Sequence, residues 1–143
     1  MVRALLEPFK GVDCTTIDWG DEAIRQMTER FWSTEIELRW TSSGPEARVY
    51  RGRDGVIRAF REWSEAFSEY YVEPLDFIEA GDRVVVPNRQ WGIGITSGIR
   101  VEDEFVWVDE IRDSQVARVD EYDSLEEALE AVGLSEQDAH ADS

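Results

Sequence analysis

Histidine and cysteine are nearly absent from this chain: it has one of each, His140 and Cys14. A lone cysteine forms neither an intramolecular disulfide nor a thiolate metal site. With no histidine near it in sequence, Cys14 reads as a small, part-buried side chain rather than an activated thiol. His140 stands in a polar C-terminal stretch, so Ser–His or Cys–His catalysis and histidine-ligated metal sites have no candidate residues, and no metal is expected. Positive charge is scarce too, with 15 Lys and Arg against 32 Asp and Glu and a formal net charge of −17. Such a surface repels phosphate, and no Lys/Arg cluster reverses the sign locally, so neither nucleic acid nor anionic membrane is an expected partner. The acidity itself reads as solubility. No run approaches the ~18 apolar residues of a membrane span. The N-terminal Met1-Val2-Arg3-Ala4-Leu5-Leu6-Glu7-Pro8 lacks the apolar core of a signal peptide, which makes a cytoplasmic location the expectation.

What is present is apolar and aromatic. Of 143 residues 42% are hydrophobic and 11% aromatic, six of them Trp, enough for a packed core or a lined cavity. One domain over residues 1–134 is expected, followed by a polar tail over 135–143. Val2, Leu5, Leu6 and Phe9 fall at helical spacing, ended by Pro8 and Gly11. After a loop over 12–20, a second helix is expected over 21–32. Asp21 is its cap, and Ala23, Ile24, Met27, Phe31 and Trp32 form its apolar side. Ile36, Leu38 and Trp40 alternate with charged residues as a half-buried strand does. Residues 41–45 form a turn cluster. Asp54 is read as the cap of a third helix running to about Glu69, with Val56, Ile57, Phe60, Trp63, Phe67 and Tyr71 along one stripe.

The apolar period then shortens from 3.6 to 2. Strands are expected over 71–79, 83–96, 99–111 and 115–122, joined by short turns that force antiparallel pairing. Gly92 and Gly94 alternate within one strand, marking a bend or a close approach by a ligand or neighbouring chain. Ser124 and Glu127 have capping-box spacing and open a last helix through Val132, which Gly133 closes. The fold class is therefore α+β: helices, a long antiparallel meander, and a short C-terminal helix.

From Tyr50 onward the chain resembles the SnoaL-like branch of the nuclear-transport-factor-two-like superfamily. The residues concerned are Tyr50-Arg51-Gly52-Arg53-Asp54-Gly55-Val56 with Phe60-Arg61-Glu62-Trp63, then Ile78 to Val86 around Ala80-Gly81-Asp82. Gly92 and Gly94 with Ser97-Gly98, Ile111-Arg112-Asp113, Glu121-Tyr122 and Glu127-Ala128-Leu129-Glu130-Ala131 complete it. The chain departs from that branch in its longer loop over 12–20 and in having no glycine after Asp113. The resemblance implies a highly curved sheet wrapped by about three helices into a cone with an internal pocket. It also implies frequent homodimers through the outer sheet face, and acid–base chemistry on small molecules without metal or organic cofactor. Fold does not fix function, and non-catalytic binding or association modules share this architecture.

Counting from the shared turns, the tyrosine of the ketosteroid-isomerase pattern falls near Leu5, its base near Trp40 or Thr41, and its acid near Trp107. None carries the needed group, so that mechanism is not expected. The same counting puts Asn88, Gln90, Gly92 and Gly94, and Asp103, Phe105, Trp107, Asp109 and Ile111, on the pocket face. Asp109, two residues from Trp107 where an apolar side chain belongs, is the candidate general acid or base, with Glu121 its companion. The alternative is an ion pair with Arg89 or Arg118. Trp40, Trp63, Phe67, Phe105 and Trp107 are expected to contact a small apolar or aromatic ligand, with Asn88 and Gln90 orienting it.

Overall fold

The structure, a computed structural model, describes residues 2–41 and 48–134; most of the turn cluster at 41–45 and the stretch 135–143 lie outside it. Helix α1 (Val2–Leu6) runs into a 3₁₀ turn at Glu7–Phe9, and a second 3₁₀ turn at Cys14–Thr16 precedes helix α2 (Glu22–Phe31). Strands β1 (Trp32–Trp40) and β2 (Val49–Arg51) lead to helix α3 (Gly52–Ser64). Strands β3 (Phe67–Pro74), β4 (Ile78–Ala80), β5 (Arg83–Gly94), β6 (Arg100–Arg112) and β7 (Gln115–Tyr122) follow, and helix α4 (Leu125–Ala131) comes last. No described helix is long and apolar enough to cross a membrane.

All seven strands join one sheet in the order β2-β1-β7-β6-β5-β3, with β4 also on β5. The meander β5–β6–β7 is antiparallel, as its short turns require, but β1 joins β7 in parallel. Register slips between Trp32 and Glu37, Phe67 and Glu69, and Glu110 and Ile111 bend the sheet. The bend is sharpest in consequence at Gly92. A Cβ there would stand 2.6 Å from the Glu69 carbonyl oxygen and 2.9 Å from the Phe67 ring. The approach inferred from this glycine is therefore made by the chain's own strand β3.

The inner face of the curl carries the main core. Ile36 and Leu38 of β1 and Val116 and Val119 of β7 pack with Leu5, Trp32, Val56 and Ala59. The outer face is part-covered by α4, where Ala128 and Leu129 bury Val85, Val106 and Val108. Ser124 caps α4 by accepting from the Glu127 amide at 3.2 Å, and the Leu134 amide reaches back to the Leu129 carbonyl at 2.8 Å. Arg53, at the start of α3, donates to the Trp32 carbonyl at 2.7 Å and the Glu29 carbonyl at 3.2 Å. Those bonds tie the end of α2 to the beginning of α3.

Three local expectations give way to tertiary contacts. Helix α3 stops at Ser64, not near Glu69, because the Ala66 carbonyl takes the Ile95 amide at 2.9 Å and Phe67 pairs with Gly94. Phe67 and Tyr71 thus belong to β3. Asp54 lies inside the first turn of α3, whose cap position is Arg51, and Asp21 occupies the cap position of α2 without bonding it. On α2 the inward side includes buried Thr28, whereas Ala23 is exposed.

The β6–β7 hairpin turns through Asp113 at φ 53° and Ser114 at φ 64°. Both lie in the left-handed region that strains residues with a Cβ. Ser114→Gly should therefore raise unfolding free energy by about 1 kcal/mol, measurable as a higher urea midpoint at unchanged m-value. A lower midpoint would show that the serine side chain contributes more than the turn strain costs.

Candidate functional site

Alternation along the sheet brings one row of side chains from each strand to the inner face. Trp107 of β6 pairs with Val86 of β5 and Glu121 of β7, Asp109 pairs with Val84 and Val119, and Trp40 of β1 pairs with Glu121. The bulge after Glu110 lies beyond Asp109, so it does not turn this carboxyl outward. Helices α1, α2 and α3 and the loop over 12–20 close over the row without filling it. A cavity of about 480 Å³ remains, within the size range of small-molecule sites.

The loop over 12–20 is built into that wall. Asp13 Oδ1 accepts from the Thr15 amide at 3.0 Å and the Tyr70 amide at 3.1 Å, clipping the loop to β3. Burial pushes the Asp13 pKa up, but the hydrogen bonds from Thr15 and Tyr70 outweigh it and hold it below the usual value. The loop then presents Cys14, Ile17 and Trp19 to the cavity, with Trp19 stacked on Phe60 at 6.2 Å. Cys14 is half-buried, and burial raises its thiol pKa to about 11, which leaves it un-ionised at neutral pH.

Asp109 is 3% exposed, and it lines the cavity. Its carboxyl makes no hydrogen bond or ion pair with any described residue, and Oδ1 is buried without a partner. The arginines that could have neutralised it are engaged elsewhere: Arg118 with Asp120 at 2.7 Å and Arg89 with Glu102 at 2.5 Å. Desolvation alone raises the Asp109 pKa from its ordinary 3.8 to about 7. Glu121, on the neighbouring strand, is also pushed upward by burial, less the hydrogen bond it accepts from Trp107 Nε1 at 2.9 Å. Among the described residues no group of three His, Cys, Asp or Glu is spaced to hold a metal.

Of the residues singled out by the sequence, Asp109, Glu121, Gln90, Trp40, Trp63, Phe105 and Trp107 line this cavity. Asn88 does not. It is fully buried beside the cavity wall, its Nδ2 donating to the Val86 carbonyl at 2.9 Å while Oδ1 lacks a partner. Phe67 does not either. As the first residue of β3 it stacks on Tyr70 at 4.8 Å and borders a neighbouring depression. Sequence reasoning missed Tyr70, whose hydroxyl donates to Gln90 Oε1 inside the cavity. It also missed Phe60, Trp19 and the α1 residues Leu5 and Leu6 as wall. The helical stripes named Phe60 and α1 as apolar. Nothing local distinguishes apolar core from apolar lining.

The SnoaL-like domain family matches residues 19–119, which extends the likeness upstream of Tyr50. No curated protein matches. A candidate SnoaL-like polyketide cyclase from Jannaschia sp. CCS1 superposes with a TM-score of 0.65 at 20% identity, covering 92% of this chain and 90% of that one. A hypothetical protein with a ketosteroid-isomerase-like fold from Catenulispora acidiphila, in complex with trimethylamine, gives 0.64 at 14% identity, covering 93% and 92%. TerC co-crystallised with polyporic acid gives 0.57 at 18% identity, covering 76% and 85%. At these identities the likeness is one of fold.

The raised pKa of Asp109 sets the sign of a pH effect. Between its unfolded value near 3.8 and its folded value of about 7, the native state binds a proton that the unfolded state has released. Its contribution to stability is thus fully present below the lower value and lost as pH rises through the upper one. Asp109→Asn should stabilise the fold by about 1 kcal/mol or more at slightly alkaline pH and by little once the pH falls to its unfolded value near 3.8. Paired urea titrations at the two pH values check this. A loss of stability at alkaline pH would mean that the carboxylate has a structural partner.

Proposed function

The chain belongs to the SnoaL-like domain family, and from that premise we propose that its cavity takes a small apolar or aromatic molecule on which Asp109 and Glu121 carry out proton transfer. The reaction class is cofactor-independent cyclisation, isomerisation or dehydration. The observation that carries this reading is the Asp109 carboxyl, its Oδ1 buried without a partner in the wall of a cavity of about 480 Å³. A carboxyl whose pKa stands at about 7 is both acid and base near neutrality. It removes a proton from an activated carbon or oxygen and returns it at another position of the same molecule, so no external reductant or oxidant is required. Glu121, which accepts from the Trp107 indole at 2.9 Å, lines the same cavity and is the second carboxyl available to receive or return the proton. The Tyr70–Gln90 hydrogen bond sets a polar contact on the opposite wall for a ligand carbonyl or hydroxyl. The polyketide cyclase name of the Jannaschia relative and the polyporic acid in TerC agree with a ring-bearing ligand.

Binding and chemistry separate in two variants. Val72 lines the cavity, and Val72→Trp should fill it and abolish tryptophan-fluorescence changes caused by neutral naphthalene-type probes, with the far-UV spectrum retained. Asp109→Asn should bind such probes within about threefold of wild type while turnover of any ring-closing or isomerising substrate is lost. If Val72→Trp binds such probes as well as the wild type does, the cavity is not the ligand site.

The chain is further proposed to self-associate through the outer sheet face. Helix α4 already covers Val85, Val106 and Val108. The adjoining outer ridge does not lie under it: Tyr71 stacks on Trp91 at 5.4 Å and Arg89 sits over the same indole at 5.3 Å. An apolar ridge of this kind is the expected centre of an isologous contact. Light scattering at micromolar concentration should report twice the 16.5 kDa of the chain, falling to the monomer mass in Trp91→Glu. A wild-type monomer would overturn this.

A further inference from the structure

The cavity has an unbalanced charge. Five carboxylic residues line it, Asp103, Glu104, Asp109, Glu121 and Asp123, and among the described residues no Lys, Arg or His does. Arginines do sit on the same strands, but those with recorded ion pairs, such as Arg89 with Glu102 and Arg118 with Asp120, engage carboxylates that do not line the cavity. Asp103, Glu104 and Asp123 are exposed at the mouth, where solvent screens them. Glu121 and Asp109 lie deeper, where an opposite charge is worth far more than in water. Oδ1 of Asp109 is buried and unpartnered, so the acidic lining is not merely a solvated surface.

The aromatic residues are arranged around one of these acids. On three adjacent strands the register reads Trp40, Glu121, Trp107, side by side on the inner face. The Trp107 indole donates to Glu121 Oε1 at 2.9 Å. Trp63 closes on Trp40 edge-to-face at 6.2 Å, and Phe105 on Trp107 in the same way at 5.1 Å. Aromatic rings grouped beside a part-desolvated carboxylate form an environment in which ammonium groups are held by cation–π and ionic attraction together. A neutral ligand would leave that carboxylate uncompensated, and an anionic one would add repulsion. The spread of the carboxyls, no three of which are spaced for a metal among the described residues, fits one organic cation rather than an inorganic one.

We propose that the ligand class of this cavity is an amine, protonated or quaternary, borne on an aromatic or cyclic apolar body, with its cationic centre at Glu121 between Trp40 and Trp107. The body then fills the space lined by Phe60, Trp63 and Phe105. This inference rests on the reading of the cavity as a ligand site and narrows the chemistry of what enters it.

The test uses a pair of probes of one shape and different charge: benzyltrimethylammonium and its neutral isostere neopentylbenzene, titrated by tryptophan fluorescence and calorimetry. The cation should bind at least about tenfold more tightly than the isostere at low salt. Glu121→Gln should erase that preference without weakening the neutral probe. Trp40→Leu, which keeps the acid but removes one aromatic wall, should reduce the preference several-fold and guards against a folding defect in the first variant. Equal binding of the two probes, or a cation preference that survives in Glu121→Gln, would overturn the cationic assignment and leave the apolar ligand site standing. Failure of both probes to bind the wild type would overturn the ligand site itself, and this inference with it.

Discussion

The packing of one apolar row, Ile36 and Leu38 of β1 with Val116 and Val119 of β7, against Val56 and Ala59 of α3 holds the rest of the molecule in place. These residues are far apart in the chain, yet their contact curls the sheet around the helix. Leu38, Val116, Val119 and Ala59 of this cluster, with Leu5 and Trp32, also line the cavity that remains between sheet and helices. The space between is walled by larger rings that touch edge-on: Phe60 against Trp107, and Trp40 against Trp63. The bends that complete the curl lie at register slips and at Gly92, where no side chain fits between β5 and the backbone of β3.

The same side-chain type does opposite work on the two sides of the sheet. Outside, Glu37 is held below its usual pKa by hydrogen bonds from Arg39 and, less strongly, Arg51, and stabilises the fold at neutral pH. Inside, Asp109 and Glu121 are pushed up by burial and cost stability when ionised. An acid kept without a partner in the wall of a cavity is stability forgone at one place. That is the pattern expected where a site is made for a ligand instead of for the fold.

The loop over 12–20 contributes Cys14, Ile17 and Trp19 to the cavity wall. Asp13 hydrogen-bonds both its own turn and the backbone of β3, so Trp19 and Cys14 are delivered to the cavity by one carboxylate. Arg53 does the comparable work for the helices, joining the last carbonyls of α2 to the start of α3.

Much of this was legible in the residues themselves. Period-2 alternation placed Asp103, Phe105, Trp107 and Asp109 on one face. Turn chemistry at Ala80-Gly81-Asp82 and the capping box at Ser124 and Glu127 marked element ends, because each depends on residues within four or five positions of one another. The stop of α3 at Ser64 was not legible. The apolar stripe continues through Phe67, and only pairing with Gly94 and Ile95, some thirty residues on, draws the chain into a strand. Nor was the short β2, the parallel seat of β1 beside β7, or the separation of Asn88 from the cavity that takes Gln90. Local pattern determined which face each residue occupies and where the chain turns, since those follow from backbone geometry over a few residues. Which of those faces meet, which apolar residues wall a space instead of filling it, and that Asp109 is left without an arginine were decided by the tertiary structure alone, because they depend on distances between residues that no local pattern connects.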